Sequence, residues 1–218
     1  MNITRKIRTT NRTPWRNTCE YIVLHHTGTG AWTTQGIINA FTGQRQVSAH
    51  LLINELDEIY QFWEFEDILW HAWKSTWDGR TNLNRYSIGI EVIWPLADWG
   101  FTDGQIRNTI ECVKYLQAKY NIPNERVVRH LDISPWRKWD IADTFFRGES
   151  FELWKKKNLQ VTKTTMWEYE NFFNTRYKWV SRVLNDIEWA IQKTGIAREL
   201  LFLQLIMHER SIDAKGKK

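Results

Sequence analysis

The stretch "EYIVLHHTGTG", Glu20 to Gly30, opens as a run of β-forming residues and ends in two histidines and a glycine-threonine loop. An apolar run of this kind reads as a strand buried on both faces, with polar side chains collected at its C-terminal end. Such a strand needs neighbouring strands and covering layers, so the residues around it should supply more strands and helices.

They do. "WTTQGIINAFTGQ" (32–44) has the pattern of a short helix, and "SAHLLINELDEIYQFW" (48–63) reads as a hairpin turning around Glu55–Glu58. "YSIGIEVIW" (86–94) is a second β-rich run, with Glu91 between Ile90 and Val92. "FTDGQIRNTIECVKYLQAKYNIP" (101–123) predicts a helix with Thr102 as N-cap. Ile106, Ile110, Val113 and Leu116 form its apolar stripe and Pro123 closes it. Strands alternating with helices predict an α/β fold, a central mixed β-sheet flanked by helices, over residues 18–147. Residues 1–17 read as an N-terminal extension and 148–163, in the stretch "RGESFELWKKKNLQVTK" (147–163), as a charged connection. Residues 164–218 read as a helical C-terminal extension. There Val180, Val183, Leu184, Ile187, Ala190 and Ile191 share one helix face, Gly195 is the stop, and "IARELLFLQLIMHER" is a second, more apolar helix.

A chain of 218 residues can bury one sizeable core with a small appendage. Its 14 tryptophans suit both a core and a surface that grips flat or sugar-like ligands. A formal charge of +5 favours anionic partners, and the basic residues gather toward the end in "WKKKNLQVTK" and "KGKK". With no arginine-rich run and no nucleic-acid motif, nucleic acid is not the expected partner. The polar, basic N-terminus has no apolar core of a secretory signal, and no stretch is long enough to span a bilayer. A protein made and kept in a cytoplasm is the expectation, unless another system releases it. Cys19 and Cys112 are the two cysteines and form no CxxC pair, so no disulfide framework is expected. Cys112 reads as a small core residue.

Four places carry residues suited to chemistry: His25-His26 at a strand end, His50 in a strand, Glu91 in an apolar strand, and "RHLDISPWRKWD" (129–140). Histidines and a carboxylate suit a catalytic zinc site, because three protein ligands leave a fourth position for water whose pKa the metal lowers. Each has a structural alternative: a histidine that satisfies a strand end, a glutamate on the polar face of an edge strand, an aspartate that caps a turn.

In their order, "IVLHHT", "VSAHLLINELDEIYQF", "ILWHAW", "NRYSIGIEV" with "FTDGQI", and "YNIPNERVVRHLDISPWRKWD" resemble the zinc-dependent N-acetylmuramoyl-L-alanine amidases, over Tyr21 to Phe146. Phage endolysins, autolysins, muropeptide-recycling amidases and peptidoglycan recognition proteins share that family. The resemblance implies one zinc ion held by His25, His130 and Asp140. It also implies Glu91 as catalytic base and Lys138 as the oxyanion partner, with His71 bordering the substrate cleft beside Trp70. Ala49 stands where relatives without the glutamate carry a tyrosine. His50 matches a supporting histidine, and His26 a structural one.

The chain departs from the family's pattern at Arg129 and Trp136, where glycines are usual, and at Ile141-Ala142, where proline-glycine is usual. These changes spare the ligands and make the cleft rim bulkier, with Trp136 and Trp139 placed to stack on sugar or peptide or to pack against the tail. Asp132 and Arg137 are expected to hold the shape of their loop.

The implied function is hydrolysis of the amide between N-acetylmuramic acid and L-alanine, in a phage-type endolysin acting on the wall after release. The alternatives are a cytoplasmic muropeptide-recycling amidase and a non-catalytic peptidoglycan-binding module. Expected partners are peptidoglycan or muropeptides, and anionic cell-wall polymers through the basic tail. The tail reads as a covering helical pair or as a wall-docking element. Its "ARELLFLQLIMHERSIDAKG" also resembles the opening helix of lytic transglycosylases, with Glu209 in the place of the acid.

Overall fold

The computed structural model describes residues 1–14, 16–28, 33–94 and 100–159. Along the chain it forms β1 (Arg5–Ile7), β2 (Arg12–Thr13), β3 (Tyr21–His26), α1 (Thr34–Thr42), β4 (Leu51–Ile53) and β5 (Ile59–Phe62). There follow β6 (Ile68–Leu69), β7 (Thr76–Trp77), β8 (Arg80–Thr81) and β9 (Ser87–Val92). The last elements are α2 (Asp103–Tyr120), β10 (Val127–Arg129), α3 (His130–Ile133) and α4 (Phe151–Asn158).

The main sheet has the order β1-β5-β4-β9-β3-β10, with β4 and β5 antiparallel and the other pairs parallel. β3 is buried along its whole length because it lies inside the sheet with a layer on each face. Its side chains alternate between those layers. Ile22 and Leu24 join Ile88, Ile90 and Val92 of β9 in the main core, which Cys112, Val113 and Leu116 of α2 cover. Val23 faces the other way, toward Ala72, Leu83, Val128 and Ile133. Leu52 is also on that second side, packed with Ile37 and Phe41 of α1.

α2 starts where the sequence predicts. Thr102 accepts from the backbone N–H of Gln105, whose side chain accepts from Thr102 N in return, a full capping box. It stops at Tyr120, three positions before Pro123, because Asn121 takes a left-handed conformation with φ of 54° and donates its N–H to Gln117 O. The proline only follows the cap. The hairpin turn is held by Asn54, whose Oδ1 accepts from Leu56 N and Glu58 N at 3.0 and 2.8 Å.

Two stretches expected outside the domain pack with it. In the N-terminal 17 residues, β1 extends the sheet by pairing with β5, and Asn11 Nδ2 donates to Phe41 O and Gly43 O at the end of α1. In the charged connection, α4 buries Phe151 and Trp154 against Phe145 and Phe146, while its charged residues mostly face solvent. The compact unit containing the sheet therefore runs from Met1 to Leu159. Readings of the helical tail from 164 onward, its basic end and Glu209 fall outside the described residues. Among the described residues, no helix is long and apolar enough to cross a membrane.

Candidate metal centre

The sheet register builds the site. β3 and β9 align His25 with Glu91, so their side chains leave the same face of neighbouring strands, and Leu52 of β4 flanks Glu91 on its other side. β9 is an interior strand, which removes the edge-strand alternative for Glu91. β10 lies against the opposite side of β3 and pairs Arg129 with Leu24, delivering His130 at the start of α3 beside His25.

The loop that follows folds back on itself. Leu131 N donates to Asp140 O at 2.6 Å, and Lys138 N donates to Ser134 O at 2.9 Å. Arg129 braces this turn: its backbone N–H and guanidinium donate to the Asp132 carboxylate, and Nη1 donates to Asp143 at 2.8 Å. Arg137 Nη2 donates to Trp73 O at 2.8 Å. Asp132 and Arg137 thus hold the loop, and the arginine at the family's glycine position has a structural role with Asp132.

Three donor atoms converge as a result. His25 Nδ1 is 2.8 Å from His130 Nδ1 and 3.3 Å from Asp140 Oδ2, and the last two atoms are 3.0 Å apart. All three side chains are buried. Burial pushes the His25 imidazole down to about 4, with the neighbouring His130 adding to the shift against the pull of Asp140. His130 is lowered as well, again by burial. Burial would raise the Asp140 carboxyl, yet hydrogen bonds with His130 and His25 hold it well below the usual carboxylate range. Two neutral imidazoles and an ionised carboxylate presenting lone pairs to one point form a donor set that suits zinc and leaves a further position open. No other cluster of this kind occurs among the described residues.

Glu91 is partly buried beside the cluster. Burial raises its carboxyl to about 8, the charge of Asp140 raises it further, and Lys138 opposes both. Lys138 is partly buried, and its side chain makes no ion pair among the described residues. Its positive charge favours the ionised form of Glu91 and the neutral forms of His25 and His130.

The remaining expected residues divide. Trp70 lines a cavity of about 700 Å³ with Trp73, Tyr86, Arg16, Asn84 and Arg85. Trp136 is exposed. Trp139 is half exposed, and its ring meets His26 edge-on at 4.6 Å and Trp94 at 5.8 Å. His71, expected at the cleft border, is instead buried behind His25, with its Nδ1 3.0 Å from His25 Nε2. The reason is Gly89, whose missing side chain leaves room for the ring. His50 uses both nitrogens on backbone, accepting from Gly89 N and donating to Asp67 O at 3.0 Å each, so it supports and does not ligate. His26 Nδ1 accepts from Gly28 N at 3.0 Å, and its ring packs on Trp94, in keeping with a structural histidine. Reading the sequence missed Gly89; its signal was a glycine inside a strand, which marks a close approach.

Comparison with known proteins agrees with this architecture. AmpD of Haemophilus influenzae, a 1,6-anhydro-N-acetylmuramyl-L-alanine amidase, is 39% identical over 103 residues, 47% of this chain and 55% of that protein. The crystal structure of a selenomethionine AmpD derivative superposes with a TM-score of 0.59 at 27% identity, over 68% of this chain and 94% of that one. The AmiD amidase of E. coli, solved with the substrate anhydro-N-acetylmuramic acid-L-Ala-D-γ-Glu-L-Lys, gives 0.53 at 31% identity, over 61% of this chain and 56% of that one. The chain spans about half the length of the curated relatives it matches. The model of the N-acetylmuramoyl-L-alanine amidase family matches residues 15–143, the stretch that carries the main sheet apart from β1, the three donors, Glu91 and Lys138. The chain belongs to the N-acetylmuramoyl-L-alanine amidase family.

Proposed function

We propose that the chain hydrolyses the amide bond between N-acetylmuramic acid and L-alanine, with one zinc ion held by His25, His130 and Asp140. The observation that carries this reading is the placement of Glu91 next to His25 on one sheet face, with the donor cluster at their side. Zinc bound there would polarise the scissile carbonyl and lower the pKa of water. Glu91 takes a proton from the attacking water and returns it to the leaving amine, a role that its raised pKa suits. Water's oxygen ends on the lactyl carbonyl carbon as a carboxylate, and the L-alanine nitrogen leaves as the amine. Lys138 offers positive charge where the carbonyl oxygen becomes negative.

The substrate class follows the relatives. AmpD is named for an anhydro-muramyl amide, and AmiD holds an anhydro-muropeptide. A soluble muropeptide is therefore the better supported substrate here, ahead of the intact wall that an endolysin would cut. A non-catalytic binding module is disfavoured, since it has no need of Glu91 beside a complete donor set. The test is mass analysis of products from anhydro-muropeptides and from sacculi. Free stem peptide beginning with L-alanine, formed faster from anhydro-muropeptide, is expected. New glycan reducing ends, or no product from either substrate, would sink the reading.

A further inference from the structure

Gly89 sits inside β9, where a glycine weakens a strand and has to be explained by what approaches it. What approaches is the His71 ring. A Cβ on residue 89 would lie 2.5 Å from His71 Cγ and 2.7 Å from its Nδ1, contacts that real side chains do not make. The segment carrying the ring is pinned too: the backbone N–H groups of His71 and Ala72 both donate to Asn84 Oδ1, at 2.9 and 2.5 Å. His50 closes another side, its ring edge-on to His71 at 5.5 Å between centroids.

This seat fixes two hydrogen bonds. His71 Nδ1 is 3.0 Å from His25 Nε2, and His71 Nε2 is 3.4 Å from Ser87 O. A carbonyl can only accept, so His71 carries its proton on Nε2 and offers a lone pair at Nδ1. His25 then has to donate its Nε2–H, which leaves Nδ1, the atom facing His130 and Asp140, unprotonated. We infer that His71 is a positioning residue for the metal centre: it selects the His25 tautomer that can bind zinc and holds the plane of that ring. The inference rests on the zinc reading above. Ligand imidazoles usually give their second N–H to a carboxylate, a carbonyl or water; here a second imidazole takes it and passes the demand to a strand carbonyl. His130 lacks such support, since its Nε2 is buried with no hydrogen-bond partner among the described residues. The orienting contact is thus concentrated on His25.

The test measures zinc affinity of the full chain by competition with a chromophoric chelator, in the parent, His71→Phe and His71→Asn. Phenylalanine fills the seat over Gly89 without an acceptor, whereas asparagine places a carboxamide oxygen near the position of Nδ1. The phenylalanine variant is expected to bind zinc roughly tenfold to a hundredfold more weakly, and asparagine to recover most of that loss. Equal affinity in His71→Phe, or no recovery in His71→Asn, overturns the inference. Nitrogen NMR of the zinc-loaded parent decides it independently of any variant: His25 and His71 should both be protonated at Nε2, and either ring protonated at Nδ1 overturns it. A parent chain that binds no zinc overturns the zinc reading itself, which separates the two failures.

Discussion

His25 Nδ1 and His130 Nδ1 face each other at 2.8 Å, and Asp140 Oδ2 lies within 3.3 Å of both. Nitrogens this close, both lowered by burial, gain most from a cation between them.

His130→Ala or Asp140→Ala should therefore lose the bound metal while far-ultraviolet circular dichroism stays unchanged. Each substitution removes one of three donors and leaves the sheet intact. Metal analysis of the purified variants checks it, and full zinc occupancy in either would show that the ion sits elsewhere.

Glu91→Gln should keep zinc and lose turnover by roughly a hundredfold to ten-thousandfold, since only the proton acceptor is removed. Activity should rise with pH along an acid limb governed by Glu91, because the group must be ionised to act. Burial holds it up to about 8 in the metal-free protein, and bound zinc would bring the limb lower.

Lys138→Met tests the neighbouring charge. Lys138 favours the ionised form of Glu91, so its removal should move the acid limb to higher pH and cost roughly a hundred- to a thousandfold in rate. A limb that stays in place would show that the ammonium does not act on Glu91.

Buried titratable groups also set the stability of the metal-free chain. His25, His26 and His50 are pushed down to about 4, chiefly by burial, against an ordinary value of 6.5. The unfolded chain then binds more protons between those values, so stability is lost as pH falls from 6.5 toward 4. Glu91 works in the opposite sense: raised from 4.5 to about 8, it costs stability as pH rises through that window. The several histidines outweigh one glutamate below 6.5, so the denaturation midpoint should peak near neutrality. Glu91→Gln should remove the decline toward pH 8, and an unchanged decline would mean that Glu91 does not titrate there.

Sequence patterns located the strands and α2 because burial imposes periodicity on them; the candidate ligands His25, His130 and Asp140 came from the family resemblance, and the fold brings their donor atoms together. "YIVLHH" is legible as an interior strand since every residue in it must be apolar or chemically occupied. The place of His71 was not legible: it depends on a ring filling the space over Gly89, a contact between residues that no local pattern links. The end of α2 was misread for a related reason. Proline is a strong breaker, but Asn121 reached the left-handed conformation first. The domain's extent was hidden by charge, since α4 carries its lysines and glutamate around a narrow aromatic face.

That aromatic face yields the last prediction. Phe151 and Trp154 lie against Phe146 at 5.0 and 5.1 Å between ring centroids, and both side chains are buried in the main core. Trp154→Ala empties a space the sheet side cannot fill, so it should cost about 3–5 kcal/mol. Lys156→Ala, at an exposed position of the same helix, should cost within about 0.5 kcal/mol. Urea unfolding of both variants in the full chain makes the comparison. A loss below about 1 kcal/mol for Trp154→Ala would mean that α4 merely rests on the core, and the catalytic unit would then end near Arg147.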